Sequence, residues 1–319
     1  MKLKKPKFWN KGKSSILPYI LLPLSILLQI LNSANKLISK KKSYQNIKTI
    51  CVGNIYVGGT GKTSLSMKLY EIFSKKNIKT CFIKKDYSNQ KDEQKILDNK
   101  GKLFKSKKRA QSLQEAIYKN YEIAIFDDGL QDHSINYDLT FVCFNNLNWI
   151  GNGFTIPSGP LRESFKTIKD HKNIFVTGNL TNLESIKKEI LKINPQSNIL
   201  TALYVPLNLH EFDKKEKYLV FSGIGNHESF VSMLKSNGLN IINDLEQETL
   251  KERGCIDYAF SVDLNNPNVL RITELWEDLK SLQDHLKTPH VETFRNEMAK
   301  NPIAIEAYFY EANEISYPG

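Results

Sequence analysis

The segment GNIYVGGTGKTS, residues 53–64, combines glycine, lysine and threonine in a pattern that could hold phosphate. The glycines let backbone N–H groups curl around phosphate oxygens. Lys62 would reach the β- and γ-phosphates, and the hydroxyl of Thr63 would ligate Mg²⁺. The predicted nucleotide site consists of Gly58, Gly59, Thr60, Gly61, Lys62, Thr63 and Ser64. The alternative is a glycine-rich turn that precedes a helix.

The match to the full phosphate-loop pattern is incomplete, because Tyr56 stands where the first glycine belongs. The elements that must position the loop are nevertheless predicted on both sides of it. The apolar run IKTICV predicts a strand before the loop, and KTSLSMKLYEIFSKK predicts a helix after it. The apolar face of that helix is formed by Leu65, Leu69, Ile72 and Phe73.

Paired carboxylates follow a second apolar run in YEIAIFDDGLQDH, residues 121–133. The run from Ile123 to Phe126 predicts a buried strand that ends at Asp127 and Asp128. Two carboxylates at this point can divide the work, with one on the metal and the other near an acceptor hydroxyl. A strand that ends in a helix cap is the alternative. The sequence contains no Asn-Lys-x-Asp motif, so adenine is the expected base.

A third motif, GNGFTIPSGPLRES, covers residues 151–164. Its prolines and glycines predict a rigid loop that presents Arg162 and Glu163. The planar fork of an arginine binds phosphate oxygens in a bidentate manner, so Arg162 is a candidate phosphate contact. A structural salt bridge is the alternative role for this residue.

The chain has 319 residues and a formal net charge of +11, and its length is sufficient for two domains. Its four cysteines have no paired spacing, which indicates a reduced cytosolic protein without a disulfide framework or a zinc site. The cysteines are Cys51, Cys81, Cys143 and Cys255.

The charge reverses between residues 242 and 243. Residues 1–242 contain 38 Lys and Arg against 19 Asp and Glu, whereas residues 243–319 contain 7 against 15. Lysine dominates the basic residues of the first segment, but three of the seven in the second segment are arginine. The two segments therefore indicate different histories, and a function must be assigned to each separately.

The amino terminus carries a basic and apolar leader. Its apolar part, residues 15–31, lies at the low edge of the length of a membrane span, and Pro18 and Pro23 interrupt it. Lysines on both flanks and the aromatic residues Trp9 and Tyr19 favour a helix in the interface of an anionic membrane. A true span and a buried helical hairpin are the alternatives.

These motifs, in this order behind such a leader, resemble the lipid A 4′-kinase (tetraacyldisaccharide 4′-kinase) family. The resemblance covers roughly residues 1–242 and rests on FW, LLPLS, VGNIYVGGTGKTS, DDGLQDH, IPSGPLRES and FSGIGNHESF. It implies that ATP and Mg²⁺ serve to phosphorylate the 4′-hydroxyl of tetraacyldisaccharide 1-phosphate at the cytoplasmic face of the bacterial inner membrane. The implied fold is a P-loop α/β domain and a smaller α/β domain that closes over the site.

The resemblance also implies residue roles. The implied catalytic residues are Lys62, Asp92, Asp127 and Asp128; the Mg²⁺ ligands are Thr63 and Asp127; the substrate contacts are Gln131, Arg162 and Glu163. Asp92 lies in KDEQ, residues 91–94, where the family has a carboxylate general base. A solvated charge run is the alternative for this segment.

Several positions depart from the family pattern. Tyr56 replaces a small residue, Asp132 a histidine and Asp86 a glycine. After Ile242 the family has an Asp-His-His-like stretch whose histidine assists the base, and this chain keeps Asp244 at most.

The departures leave two hypotheses, an active lipid kinase and a remnant that binds nucleotide but is impaired in transfer. DDGLQDH and GPLRE argue against a third hypothesis, a general P-loop ATPase or a protein that acts only through its tail.

The tail, residues 243–319, predicts a small α+β unit. Strands are expected at CIDYAFSVD, VLRITELWED and IAIEAYFYEAN, and SLQDHLKTPHVETFRNEM predicts an amphipathic helix with a proline break. The first of these strands would turn one alternating face to the core, formed by Ile256, Tyr258, Phe260 and Val262.

The tail resembles the antibiotic-biosynthesis-monooxygenase-type domain, a ferredoxin-like module that usually dimerises by sharing its sheet. The resemblance rests on ERGCIDYAFSVDLNNPN, ITELWEDLKSLQDHLKTPH and IEAYFYEA, and the first strand of the module is missing. His285 and His290 could line a cavity, or serve only as helix and cap residues. Nothing in the tail has metal-ligand spacing along the sequence.

The expected organisation has four parts. They are a membrane-associating leader at 1–44, a P-loop NTPase-like α/β/α kinase domain at 45–204, the start of a second α/β domain at 205–242 and a ferredoxin-like α+β tail at 243–319. The expected partners are the lipid substrate, an anionic membrane surface and, through the tail, a second copy of the chain. No nucleic acid is expected.

Overall fold

The chain divides into two units, Met1–Leu207 and Asn208–Gly319. The reversal of charge between residues 242 and 243 therefore lies inside the second unit. The computed structural model describes residues 6–10, 15–86, 91–179, 181–220, 227–243, 245–262, 266, 269–300 and 304–311.

In the first unit, helices separate most of the consecutive strands, as is usual in a parallel sheet, because each crossover must return the chain to the end at which the strands begin. The strands are β1 (Lys48–Gly53), β2 (Thr80–Lys85), β3 (Leu103–Ser106), β4 (Ile123–Asp127), β5 (Leu139–Asn145), β6 (Asn173–Thr177) and β7 (Asn198–Ala202). The helices are α1 (Leu17–Ile38), α2 (Lys62–Ser74), α3 (Lys91–Lys100), α4 (Arg109–Tyr118) and α5 (Leu183–Ile193), with short 3₁₀ turns at Lys7–Trp9 and Phe165–Asp170.

In the described part of this unit, seven strands form one parallel sheet in the order β3-β2-β4-β1-β5-β6-β7. The strand order reverses around β1, and ligands of open α/β sheets bind in the crevice at such a point. Val52 of β1 pairs with Asp127 of β4, which brings the glycine loop beside the paired carboxylates. The predicted α/β fold with a phosphate loop is confirmed.

Helix α2 packs on β1, β2 and β4 through Leu65, Leu69 and Phe73. Ile72 is 41% exposed, so its predicted place on the apolar face is wrong. The buried face of α2 includes Ser66 instead, and this residue is fully buried. A buried hydroxyl needs a hydrogen-bond partner, and Ser66 donates to a carboxylate at the end of β4.

Within the described residues of the leader, Leu17–Ile38 form one continuous helix, α1, and not a helical hairpin. Pro18 lies in its first turn, where a missing N–H costs nothing, and the helix continues through Pro23. The predicted interruption at these prolines is therefore wrong. Among the helices that the structure describes, α1 alone is long and apolar enough to cross a membrane, and 11% of its most apolar window is buried.

Three side chains fasten α1 and the segment before it to the loop that contains IPSGPLRES. Trp9 Nε1 donates to the carbonyl of Pro157 at 3.0 Å. Ser25 Oγ donates to the carbonyl of Thr155 at 2.9 Å, and Gln29 Nε2 donates to the carbonyl of Arg162 at 3.2 Å. The polar residues Ser25 and Gln29 therefore attach α1 to a loop of the first unit.

The second unit contains two small sheets. Its strands are β8 (Lys217–Leu219), β9 (Asn240–Asn243), β10 (Cys255–Val262) and β11 (Leu270–Trp276). Its helices are α6 (His227–Ser236), α7 (Leu245–Thr249), α8 (Leu279–His285) and α9 (Pro289–Ala299), with a 3₁₀ turn at Leu209–Glu211. Strands β8 and β9 are parallel and joined through α6, whereas β10 and β11 form an antiparallel pair. The predicted α+β character of the tail is confirmed.

The β10–β11 pair has its own apolar cluster, in which Tyr258 and Phe260 pack with Leu245 of α7 and Val291 of α9. Ile256 was predicted to share that face but is 43% exposed, because the strand register shifts between Cys255 and Asp257 and turns the residue between them outward. The side chain of Val262 lies outside the described residues.

The predicted last strand is wrong for residues 304–311, which have no regular structure. A strand requires a hydrogen-bonded neighbour, and alternation of apolar residues alone does not provide one. Pro289 begins α9, so the predicted proline break separates two helices, α8 and α9.

Candidate functional site

The loop between β1 and α2 presents the amino terminus of α2, where unpaired N–H groups attract anions. Gly61 immediately precedes α2 with a φ of +79°. A Cβ at this position would lie 2.8 Å from Tyr204 Oη and 3.1 Å from Thr177 Cγ2. Both the backbone conformation and the available space therefore require glycine here.

Asn54 holds the loop from inside. Its Nδ2 donates to Thr60 Oγ1 at 2.9 Å, and both residues are buried. Asn54 Oδ1 has no hydrogen-bond partner among the described residues. Tyr56 is also buried, and its main chain pairs with Leu161, so this departure from the phosphate-loop pattern joins the loop to the segment that carries Arg162.

Asp127 lies fully buried at the carboxyl end of β4. Its Oδ1 accepts a hydrogen bond from Ser66 Oγ at 3.1 Å, and its Oδ2 accepts one from Thr63 Oγ1 at 3.4 Å. A carboxylate and a threonine hydroxyl side by side form the oxygen donor set that hard cations prefer. The two predicted Mg²⁺ ligands are thus neighbours in the fold, and their donor atoms fit the ion.

Lys84 was not predicted as a site residue. Its side chain is 1% exposed, and its Nζ lies 2.6 Å from Asp127 Oδ2 and 2.6 Å from Glu93 Oε2. Burial acts to lower the pKa of Lys84, but the carboxylates of Asp127 and Glu93 outweigh burial and raise it. The sequence contained a feature that could have identified Lys84 as a site residue. A lysine inside the buried strand TCFIKK needs a partner of opposite charge.

Asp128 adopts a φ of +59°, which is uncommon for a residue other than glycine. Arg162 Nη1 lies 3.0 Å from its Oδ1, and Lys62 Nζ lies 4.0 Å from the same oxygen. Burial opposes ionisation of this carboxyl, but the charges of Lys62 and Arg162 outweigh it and hold the pKa of Asp128 below its usual range. Arg109 Nη2 donates to the main-chain carbonyl of Asp128 at 2.6 Å, so a second arginine fixes the strained backbone.

The three predicted substrate contacts gather beside Asp128. Gln131 Oε1 accepts from Arg162 Nη1 at 3.1 Å, and Gln131 Nε2 donates to Glu163 Oε1 at 3.2 Å. Gln131 Nε2 also donates to the carbonyl of Asn54 at 3.0 Å, which connects this group to the glycine loop. Arg162 therefore does form a salt bridge, but with a residue of the site itself.

Other predicted positions lie apart from this group or are not described. The side chain of Asp92, in the first turn of α3, and all of Asp244 lie outside the described residues. Asp132 accepts from the N–H of Ser134 at 3.1 Å and lies 3.5 Å from Arg109 Nη1, so it closes its own turn. Asp86 lies at the end of β2, 3.5 Å from Gln94 Nε2.

The sequence of the chain is similar to that of a known family of enzymes. Residues 17–248 match the family model described as tetraacyldisaccharide-1-P 4′-kinase. The chain belongs to this kinase family. The tetraacyldisaccharide 4′-kinase of Pelagibacter ubique is 59% identical over 247 residues, which cover 77% of this chain and 78% of that protein. The tetraacyldisaccharide 4′-kinase of Rickettsia canadensis is 33% identical over 259 residues, which cover 76% of this chain and 77% of that protein.

The fold of this family member also resembles a solved structure, the "apo" form of LpxK from Aquifex aeolicus in complex with ATP. The TM-score is 0.52 at 20% identity, and the match covers 85% of this chain and 98% of that one. Residues 239–297 of the kinase chain match a second family model, antibiotic biosynthesis monooxygenase. The two family matches overlap at residues 239–248, which include strand β9 and the start of α7.

Proposed function

We propose that this chain transfers the γ-phosphoryl group of ATP, with Mg²⁺, to the 4′-hydroxyl of tetraacyldisaccharide 1-phosphate, a step of lipid A biosynthesis. The observation that carries the proposal is the arrangement of four side chains beside the glycine loop, Thr63 with Asp127 and Lys62 with Asp128. Thr63 and Asp127 supply adjacent oxygens, and Lys62 lies beside the ionised Asp128. Membership of the kinase family supports the same reaction.

The nucleotide phosphates bind at the loop. The N–H groups of Gly58, Gly59, Thr60 and Gly61 and the amino terminus of α2, with Ser64 in its first turn, surround the phosphate oxygens, and Lys62 neutralises the β- and γ-phosphates. Thr63 and Asp127 hold Mg²⁺, which supplies neutralisation of the charge that develops on the phosphates. Lys84 keeps the carboxylate of Asp127 oriented toward Thr63.

In the transfer, the acceptor oxygen forms a bond to the γ-phosphorus while the bond to the bridging oxygen of ADP breaks. The proton of the hydroxyl passes to a carboxylate base. The lowered pKa of Asp128 makes it a weak base but keeps it ionised, so its oxygens can only accept hydrogen bonds and orient the acceptor hydroxyl. Asp92 is the proposed base, on the strength of the resemblance of its segment to the family. Gln131, Arg162 and Glu163 contact the sugar and its anionic groups beside Asp128.

The substrate is a lipid, and α1 brings the enzyme to the membrane. Mid-helix residues Ser25 and Gln29 are hydrogen-bonded to a polar loop, which cannot lie at the centre of a bilayer. This attachment favours a helix that lies in the interface over one that spans the bilayer. The exposed apolar face of α1 enters the lipid surface, and nearby lysines contact anionic headgroups at the cytoplasmic face of the inner membrane.

The tail pairs with a second copy of the chain. Strands β10 and β11 form a two-stranded sheet in the described part of the tail, and such a sheet is marginal by itself. Ile256, Ile272 and Leu275 on these strands are exposed apolar residues. Sedimentation equilibrium of the full chain and of Leu275→Asp tests this pairing: a dimer that Leu275→Asp dissociates supports it, and a monomeric wild-type chain rejects it.

The kinase proposal is tested with γ-labelled ATP and tetraacyldisaccharide 1-phosphate in detergent micelles. The wild-type chain should transfer label, Lys62→Ala should not, and Asp127→Asn should lose Mg²⁺-dependent turnover while retaining some ATP affinity. Lys68→Ala, on the exposed face of the same helix, is the matched control and should behave as wild type. ATP binding without transfer in the wild type would favour the alternative, a fusion protein that keeps the nucleotide site but has impaired kinase activity.

A further inference from the structure

Two histidines and a glutamate converge in the tail, although they are far apart in the sequence. Glu252 follows α7, His285 ends α8, and His290 lies in the first turn of α9. One ligand atom of each of the three residues lies within 4.8 Å of the others. Glu252 Oε1 is 2.8 Å from His285 Nδ1 and 2.7 Å from His290 Nε2. We propose that Glu252, His285 and His290 bind a divalent transition-metal ion.

The chemistry of the donor set selects the class of ion. Two imidazoles and one carboxylate are the protein ligands of open Zn²⁺ sites and of mononuclear Fe²⁺ sites. Mg²⁺ and Ca²⁺ prefer oxygen ligands, so they are poor occupants of a site with two ring nitrogens. Three protein ligands leave at least one coordination position for water or a small ligand.

A carboxylate lies near the second ring nitrogen of His285, where metal-bound histidines usually have one. The residue is 1% exposed, and its second nitrogen, Nε2, faces Glu274 Oε2 at 3.8 Å. Trp276 Nε1 donates to the same Glu274 oxygen at 3.0 Å and fixes that carboxylate. Histidine ligands almost always direct their other ring N–H at a carboxylate or carbonyl, which sets the tautomer and the ring orientation. Glu274 is placed for that role.

The same residues form a hydrogen-bonded network when no metal is bound. Because an ionised carboxylate only accepts hydrogen bonds, both ring nitrogens donate to Glu252 in that state. A bound ion takes the lone pairs of His285 Nδ1 and His290 Nε2, so the proton of each ring moves to its other nitrogen. In His285 that nitrogen is Nε2, which faces Glu274.

The turn between α8 and α9 brings the two histidines together. Thr288 Oγ1 donates to the carbonyl of His285 at 2.7 Å and lies 3.2 Å from His290 Nε2. Pro289 then starts α9 and prevents the two helices from becoming one. In one continuous helix, residues five positions apart lie on different faces, so linear spacing did not reveal this site.

The experiment is a Co²⁺ titration of the full chain without nucleotide, followed by the visible absorption of the ion. Wild type should bind one equivalent and develop d–d bands without a thiolate charge-transfer band. Glu252→Gln keeps the shape and the hydrogen-bond acceptor, and His290→Gln removes a partly exposed ring. Each should weaken Co²⁺ binding at least about 100-fold, because loss of an outer carboxylate partner alone costs about 10- to 100-fold. Glu274→Gln should fall in that smaller range.

His210→Gln is the matched control, since it removes an exposed imidazole from the same unit outside the cluster. Near-ultraviolet circular dichroism of each variant confirms folding before titration. The proposal is overturned if the wild type develops no bands, or if Glu252→Gln binds as tightly as wild type. It is also overturned if His210→Gln weakens binding as much as His290→Gln. A rise in melting temperature with Zn²⁺ that Glu252→Gln abolishes would support it independently.

Discussion

The ammonium of Lys84 lies 2.6 Å from Oδ2 of Asp127, and the two side chains are 1% and 0% exposed. Removal of one partner leaves a buried charge without compensation, which typically costs about 3–5 kcal/mol. Lys84→Met should therefore reduce the free energy of unfolding by about that amount, as measured by urea denaturation. It should also lower kinase activity, because Asp127 loses its orientation toward Thr63.

The double variant Lys84→Met/Asp127→Asn separates stability from chemistry. It should recover much of the lost free energy of unfolding, because no charge remains buried, and it should stay inactive. Lys68→Met, on the exposed face of α2, should change neither property. A cost below about 1 kcal/mol for Lys84→Met would show that the carboxylate is satisfied without this lysine.

Gly61→Ala should weaken ATP binding by at least about tenfold, since it adds both a left-handed backbone strain of about 1–2 kcal/mol and a collision. The added Cβ would meet Tyr204 Oη at 2.8 Å. Gly153→Ala is the matched control: its φ is +80°, but the nearest side-chain atom lies at 3.9 Å. Isothermal titration with an ATP analogue should show a loss for Gly61→Ala alone. If Gly61→Ala/Tyr204→Phe restores no affinity, the collision with Tyr204 is not the cause.

Arg162→Ala should lower kcat/KM about ten- to hundredfold, because a hydrogen bond to a charged group is worth about 1.5–3 kcal/mol. The variant should also raise the pKa of Asp128. In the wild type this pKa lies below the ordinary 3.8, so its ionised form stabilises the fold above that pH. That stabilisation disappears as the pH falls through the folded-state value.

Acid unfolding therefore tests the Arg162–Asp128 pair. Arg162→Ala should be less stable than wild type at neutral pH, and the difference should shrink below pH 3.8. Lys36→Ala breaks an exposed ion pair with Asp170 and should cost less than about 1 kcal/mol at any pH. A constant difference between Arg162→Ala and wild type across the acid range would contradict the role of the charge.

The apolar face of α1 should carry the chain to anionic vesicles. Ile20 and Leu27 are 63% and 53% exposed, and burial of such a side chain in lipid is worth about 1.5–3 kcal/mol. Leu27→Asp should therefore reduce co-sedimentation with phosphatidylglycerol vesicles by about tenfold or more. Tyr118→Asp alters an exposed aromatic residue at the end of α4 and should have no effect. Equal binding of Leu27→Asp and wild type would reject membrane insertion through this face.

The sequence by itself determined the order of strand, glycine loop and helix, the carboxylates at the end of β4 and the existence of an α+β tail. These features are local, because hydrophobic period, glycine and chain direction act over a few residues. The family motifs that contain Lys62, Thr63, Asp127 and Arg162 could be recognised from residue types and spacing alone. Predictions from the local hydrophobic pattern were wrong where burial or strand formation depends on a packing or hydrogen-bonding partner. The examples are Ile256, Ile72 and residues 304–311.

Only the tertiary structure decided which distant residues meet. Parallel pairing of β1, β2 and β4 places Lys84 against Asp127, and the same sheet edge brings Arg162 to Asp128. In the tail, a turn and a helix break bring Glu252 to two histidines more than 30 residues away. Electrostatic and metal-ligand contacts depend on the distance between side chains in space. That distance is set by the packing of strands and helices, and it cannot be read from the separation of two residues along the sequence.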